Sequence, residues 1–168
     1  WTANPNKLVF FDNKVSISAR KVLNDNLDLS TENDYFLEDF DFFFIRQDPP
    51  FDIRYITNCY LLEIHKSINK TPFFINDPSG IKNFTEKIFP LYFNKFMPIT
   101  MITSDEGRFM KMLKEFRTVV IKPLYCKGGE GIHKVHFNQK SKLNKFKDLI
   151  EKYTSPVVVQ EFIENVKL

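Results

Sequence analysis

Three glycines, Gly128, Gly129 and Gly131, fall within four residues of a chain that holds only five. They follow a β-branched run, Thr118 to Ile121, and a lysine, Lys122, in the stretch TVVIKPLYCKGGEGIHKV. Glycine admits positive φ and lets backbone N–H groups come close to an anion, and a lysine ammonium adds a point charge for phosphate. The stretch is not a P-loop, because no Lys-Ser/Thr pair follows the last glycine. It is not a dinucleotide fingerprint, because a strand pattern rather than a helix follows Gly131. Spacing alone leaves two readings open: a hairpin whose loop covers phosphates, and an ordinary glycine-rich hairpin with a lysine at its rim. Glu130 counts against the first unless its carboxylate points away.

A second candidate is RQDPPFD. Arg46 emerges at the carboxyl end of an apolar run, where open α/β sheets bind ligands. Arg46, Asp48 and Asp52 cluster around a rigid Pro-Pro corner, an arrangement suited to an amino acid or peptide carrying both charges. The bland alternative is a structural corner in which Arg46 pairs with one of the aspartates. Lys87, in FTEKIF, reads in isolation as a solvated lysine in mid-helix. Cys59 lies on an apolar helical face and reads as core, and Cys126 sits in the glycine loop with no base nearby to activate it. His65, His133 and His136 show no metal-ligand spacing with the cysteines, and no carboxylate cluster has metal-binding character.

These residues must be carried by a framework. A chain of 168 residues with 43% hydrophobic content builds one compact domain or two small ones. Its 24 basic and 21 acidic residues leave a net charge of +3, which argues against a nucleic-acid partner. No apolar run reaches a membrane span and no secretory signal is visible, so neither a membrane nor export is expected. The two cysteines fit free thiols in a reducing, cytoplasmic setting. The 19 phenylalanines read as compositional drift, which weakens any argument from an aromatic stripe.

The expected elements run as follows. KLVFF and KVSISAR form a hairpin about Asp12-Asn13, and residues 23–39 form a polar surface excursion. FDFFFIR (40–46) is a strand covered on both faces. Asp52 caps a helix over 53–67 whose apolar face is Ile56, Cys59, Tyr60 and Ile64. TPFFIN returns as a strand parallel to the first, completing a βαβ unit. DPSG is a breaker, followed by a helix over 81–89. ITMIT is a strand, and Ser104 caps a helix that buries Phe109, Leu113 and Phe116. TVVIKPL and IHKVHF are strands flanking the glycine loop. A helix over 142–153 carries Leu143, Phe146, Leu149, Ile150 and Tyr153 on one face, and PVVVQEFI is a final buried strand. The division falls near residue 80.

In order and spacing, IRQDPPFDIRYITNCYLLE (45–63), INDPSGIKNFTEKIFP (75–90) and VVIKPLYCKGGEGIHKV (119–135) resemble the bacterial-type glutathione synthetases of the ATP-grasp superfamily, and VVVQEFIENVK (157–167) fits the strand that follows in that family. The resemblance implies an α/β protein, with a partial Rossmann-like pre-ATP-grasp substrate domain over 1–80. The first, central subdomain of an ATP-grasp fold would follow over 81–168. It implies a ligase that phosphorylates the cysteinyl carboxylate of γ-glutamylcysteine with ATP and lets glycine attack the acyl phosphate, with Mg²⁺ neutralising phosphate charge. By position, Lys87 and Lys122 match the two phosphate-contacting lysines and Gly128, Gly129 and Gly131 the covering loop. Gln160, Glu161, Phe162 and Ile163 match the hinge strand that meets adenine. Arg46, Asp48 and Asp52 match the peptide-substrate side. The parent is expected to be a homo-oligomer.

Two departures stand in the loop: Cys126 replaces the family's usual glycine, and Lys127 replaces a neutral residue. The family is also longer at both ends, with its Mg²⁺ ligands in the half that would follow Leu168. The chain is therefore expected to be a fragment without catalytic residues of its own. The alternatives are a non-catalytic nucleotide- or peptide-binding module and an ATP-grasp ligase with another amino-acid or peptide substrate.

Overall fold

Asp12 and Asn13 take φ of 47° and 59°, the mirror-image turn whose twist matches two antiparallel strands. They join β1 (Thr2–Phe11) to β2 (Lys14–Arg20). The computed structural model describes residues 1–22, 31–48 and 50–164. Within the expected surface excursion, residues 23–30 lie outside the described set, whereas β3 (Asn33–Phe36) is a strand that extends the sheet as β1-β2-β3. Its polarity hid it. Ring contacts of Tyr35 with Trp1 and Phe40 hold it, together with side-chain bonds: Ser18 donates to Asp34, and the neighbouring Glu32 pairs with Lys7 at 3.0 Å and Arg20 at 3.1 Å.

β4 (Phe42–Phe44), α1 (Ile53–Ile68) and β5 (Phe73–Ile75) form the expected βαβ unit, with β4 and β5 parallel. The expectation that the first of these strands is covered on both faces is corrected. Phe43 and Phe74 face inward, while Phe42, Phe44 and Phe73 stay exposed. Strand side chains alternate, so one face of this two-stranded sheet joins a core with Val15, Ile17, Leu37, Ile45 and Leu62 and the other remains open. The buried face of α1 is also rotated from the expected one: it is Tyr55, Cys59, Leu62 and His65. His65 belongs inside because its Nε2 donates to the Thr71 carbonyl at 2.7 Å, which satisfies a buried polar group. Tyr60 and Ile64 lie on the exposed flank.

Asp-Pro-Ser-Gly is not a breaker. Asp77 caps α2 (Pro78–Asn83), accepting from the Gly80 N–H at 3.0 Å, with Pro78 at the position where a missing N–H costs nothing. Lys66 pairs with Asp77, and Lys82 pairs with Glu63 at 2.5 Å, tying α2 to α1. The chain divides into two compact units, Trp1–Phe84 and Thr85–Leu168, so α2 belongs to the first.

The second unit contains a 3-10 segment at Phe89–Phe96, then β6 (Thr100–Thr103), α3 (Glu106–Phe116) and β7 (Thr118–Pro123). β8 (His133–His136), α4 (Lys142–Tyr153) and β9 (Val157–Glu161) complete it. The helix expected over 81–89 is thus split between α2 and the 3-10 segment, with Lys87 in the turn between them. The cap of α3 is Asp105 rather than Ser104: its carboxylate accepts from the Arg108 N–H at 2.7 Å. All three pairings of the sheet, ordered β6-β9-β7-β8, are antiparallel. Phe109, Leu113, Phe146 and Leu149 on the helices pack against Val119, Ile121, Val135, Val157 and Val159. Phe116 is only partly buried beside them.

Candidate functional site

Register decides which side chains share the face of the second sheet that lies opposite these helices. In β7, Val119, Ile121 and Pro123 point to the buried side, so Val120 and Lys122 point to the other. Val120 stands opposite Gln160, Lys122 opposite Val158, and Gln160 opposite Thr100. Thr100, Gln160 and Lys122 therefore come from three adjacent strands and share one face. Lys122 Nζ donates to Gln160 Oε1 at 2.7 Å, and Gln160 Nε2 donates to Thr100 Oγ1 at 2.8 Å. Burial holds the Lys122 ammonium below the usual lysine range, and the nearby charge of Lys87 adds to this, partly offset by Glu86.

Lys87 Nζ donates to the Cys126 carbonyl at 2.6 Å and pairs with Glu86 at 3.1 Å. One lysine thus grips the base of the glycine loop while standing in the electrostatic reach of the other. The two like charges disfavour each other, Glu86 offsets this only in part, and an added anion such as a phosphate would relieve the rest.

The loop has the backbone freedom that close approach to an anion needs. Gly128, Gly129 and Gly131 all take positive φ, 64°, 77° and 71°. Glu130 points away from the lysines: its carboxylate accepts from the Tyr153 hydroxyl at 3.0 Å and from Lys152 at 3.2 Å. These contacts, Lys152 first, hold its carboxyl below the usual carboxylate range. The objection that an acid would repel phosphate is thereby removed. Gly131 is the sterically demanding position, since a Cβ there would lie 2.9 Å from Pro123 Cγ and 3.1 Å from the Tyr153 hydroxyl, whereas one at Gly128 would meet nothing within 4 Å. Gly128→Ala is expected to cost about 1 kcal/mol, from the left-handed backbone alone. Gly131→Ala is expected to cost at least about 2 kcal/mol, because the loop must also shift off the Pro123 ring and the Tyr153 hydroxyl. Urea unfolding midpoints of the two variants check this order.

Along the end of β9 and the residues after it the contacts divide. The Glu161 N–H donates to the Ile99 carbonyl at 2.9 Å, and its carboxylate accepts from the Ile99 N–H at 3.4 Å. Phe162 lies under Lys134, whose Nζ is 3.5 Å from the ring centroid, and Ile163 is exposed. Thr100 and Lys134 escaped the sequence reading, which also took Tyr153 as a helix-face residue without its contact to Glu130. Strand alternation in β6 and β9 could have placed Thr100 beside Gln160 only once the pairing of those two strands was known.

In the first unit, Arg46 and Asp48 line a cavity of about 470 Å³ with Trp1, Pro5, Phe43 and Asn58. The corner is fastened from α1: the Tyr55 hydroxyl donates to the Gln47 carbonyl at 3.2 Å, and Asn58 Nδ2 donates to Gln47 Oε1 at 3.1 Å. Asp52 does not line this cavity. It caps α1, accepting from the Tyr55 N–H at 3.0 Å, and pairs with Arg54 at 3.4 Å. The Tyr55 N–H is the main cause of its lowered carboxyl pKa. The structure thus brings Arg46 and Asp48 together and gives Asp52 a helix-capping contact.

Comparison with known proteins gives these arrangements a context. The chain is 35% identical to the glutathione synthetase of Mesorhizobium japonicum over 78% of its own length and 41% of that protein's. It is 32% identical to the Agrobacterium fabrum glutathione synthetase over 97% of its own length and 52% of the relative's. It therefore spans about half or less of the relatives it matches. Among solved structures, a Chryseobacterium gregarium RiPP-associated ATP-grasp ligase in complex with ADP and a leader and core peptide aligns with a TM-score of 0.46 and 17% identity. That alignment covers 96% of this chain and 51% of that one. The family model of the prokaryotic glutathione synthetase N-terminal domain matches residues 1–82. The model of its ATP-grasp domain matches residues 86–168, and the chain belongs to the prokaryotic glutathione synthetase family.

Proposed function

We propose that this chain supplies the dipeptide-binding domain and the phosphate-gripping part of the nucleotide site of an ATP-dependent ligase that joins γ-glutamylcysteine to glycine. The observation that carries the reading is the convergence of Lys87 and Lys122 beside a three-glycine loop whose only acid is turned away. ATP would lie on the open sheet face, its base toward Phe162 and Ile163 and its phosphates between the two lysines. Lys122 and Lys87 would hold the transferred phosphoryl group as the cysteinyl carboxylate oxygen attacks its phosphorus and ADP leaves. The glycine amine would then attack the acyl carbon, with phosphate as leaving group. Arg46 and Asp48 would take the charged ends of the dipeptide in the first unit. Among the described residues no three His, Cys, Asp or Glu side chains gather where they could hold a metal ion, so no step is assigned to Mg²⁺ here.

The test is phosphate release by the protein expressed from its complete reading frame, with ATP, Mg²⁺, γ-glutamylcysteine and glycine. Release that requires both amino-acid substrates is the expected result, and release no faster than background rejects the assignment. The 168-residue chain alone is expected to show no turnover in the same assay.

A further inference from the structure

We propose that Thr100 and Gln160 form a positioning relay for Lys122, fixing the direction of its ammonium through side-chain hydrogen bonds; this rests on the nucleotide reading of the same face. The relay is directional. Thr100 Oγ1 donates to the Pro98 carbonyl at 2.7 Å, which uses the single hydroxyl proton and leaves the oxygen free to accept. Gln160 Nε2 fills that acceptor at 2.8 Å. The amide is then locked with its carbonyl toward Lys122, 2.7 Å from Nζ. A flipped amide would set its NH₂ against the ammonium, donor facing donor, and its oxygen against a hydroxyl whose proton is already engaged.

The chemistry of the side chain matters as much as its direction. A glutamate here would form an ion pair with Lys122, neutralise it and repel phosphate. A neutral amide orients the ammonium while leaving its full charge for the ligand. One acceptor also leaves two of the three ammonium protons for phosphate oxygens. The three side chains sit on β6, β9 and β7, neighbours in the sheet order, so the backbone ladder fixes the relay's span. Gln160 thereby acts through its side chain, separately from any contact its strand makes with the base, and Thr100 acts at one remove.

The experiment uses the protein from the complete reading frame. ATP affinity is measured by calorimetry, and the Lys122 Nζ resonance, assigned by its loss in Lys122→Met, is followed against pH without nucleotide. Gln160→Leu is expected to weaken ATP binding about tenfold and to add nothing in a Lys122→Met background. Thr100→Val is expected to weaken it about threefold, with Thr100→Ser restoring it. Gln160→Glu is expected to move Lys122 deprotonation to higher pH while weakening ATP binding. The relay is overturned if Gln160→Leu costs the same factor in the Lys122→Met background, or if Gln160→Glu leaves the Lys122 titration in place. If the titration moves but Lys122→Met leaves ATP affinity unchanged, the relay stands and the nucleotide reading of the face fails.

Discussion

Lys122→Met is expected to weaken ATP binding by about 2–3 kcal/mol, roughly 30- to 150-fold, without unfolding the protein. The side chain is half-buried, its ammonium is directed by Gln160, and it stands near a second cation. Methionine keeps much of the apolar stem that packs along the sheet and removes only the charge. The sign of the stability change separates this variant from a structural one. Burial and Lys87 push Lys122 below the usual lysine range, so folding disfavours its charged form. Between the folded and unfolded pKa values the unfolded chain holds more protons, and stability rises with pH across that window. Below it the ammonium is carried at a cost, so removing it is expected to leave the unfolding midpoint unchanged or raised. ATP affinity should run the opposite way and fall as pH rises through the depressed pKa, because phosphate binds the protonated form. Lys122→Arg, which stays charged at all accessible pH, should flatten that fall. Calorimetry across the alkaline range, with a denaturant midpoint for each variant, checks both signs. A stability loss matching the loss of binding would make Lys122 a packing residue.

What the sequence disclosed and what it hid follow from the range of the forces involved. The helix Lys142–Tyr153 was legible because Leu143, Phe146, Leu149, Ile150 and Tyr153 recur at helical spacing, and that period is local. The βαβ pairing of Phe42–Phe44 with Phe73–Ile75 followed from element order and chain connectivity. Lys87 was misplaced because Asn83 to Phe89 has helical composition, while Phe84, at φ −106° and ψ 64°, already leaves the helix. The buried face of the first helix was misread because hydropathy favours Tyr60 and Ile64 over His65. His65 is accommodated inside by a carbonyl six residues away, the Asn69 amide and the edge of the Phe74 ring.

The candidate site divides along the same line. The glycine loop and Lys122 announce themselves by composition, but spacing could not choose between a phosphate loop and a plain hairpin. The facts that favour the first are long-range: Lys87 reaching the Cys126 carbonyl, and Glu130 turning to Tyr153. The sheet order β6-β9-β7-β8 is likewise written in no local pattern, and Thr100 acquires a role only through it. The Arg46 corner was readable as a cluster and Asp52 as the cap of the helix that follows, but only the fold reveals that Asp48 lines the cavity with Arg46 while Asp52 does not.

Phe146→Ala is expected to lower the stability of the second unit by about 3–5 kcal/mol. Phe109 and Phe146 are both fully buried, and their rings stack with centroids 4.4 Å apart and planes 7° from parallel. The pair joins the two helices to each other and to the sheet. Truncating one ring removes its transfer free energy, opens a cavity in the close-packed interior and leaves the other ring without its partner, the last worth about 0.5–1.5 kcal/mol by itself. Phe146→Leu should recover part of the loss, and Leu143→Ala, at a half-buried position of the same helix, should cost clearly less. Denaturant midpoints with unchanged slopes would measure all three. The same helices hold the back of the sheet whose other face carries Lys122 and Gln160, and this gives the variant its diagnostic value. Domains are stable by about 5–15 kcal/mol, so a folded majority should survive Phe146→Ala and that majority should bind ATP nearly normally. Lys122→Met is expected to show the reverse: intact stability with binding lost. If Phe146→Ala instead weakens binding by the same factor as Lys122→Met while still fully folded, the nucleotide would have to be contacting the helical side of the sheet, and the placement of ATP on the Lys122 face would be wrong.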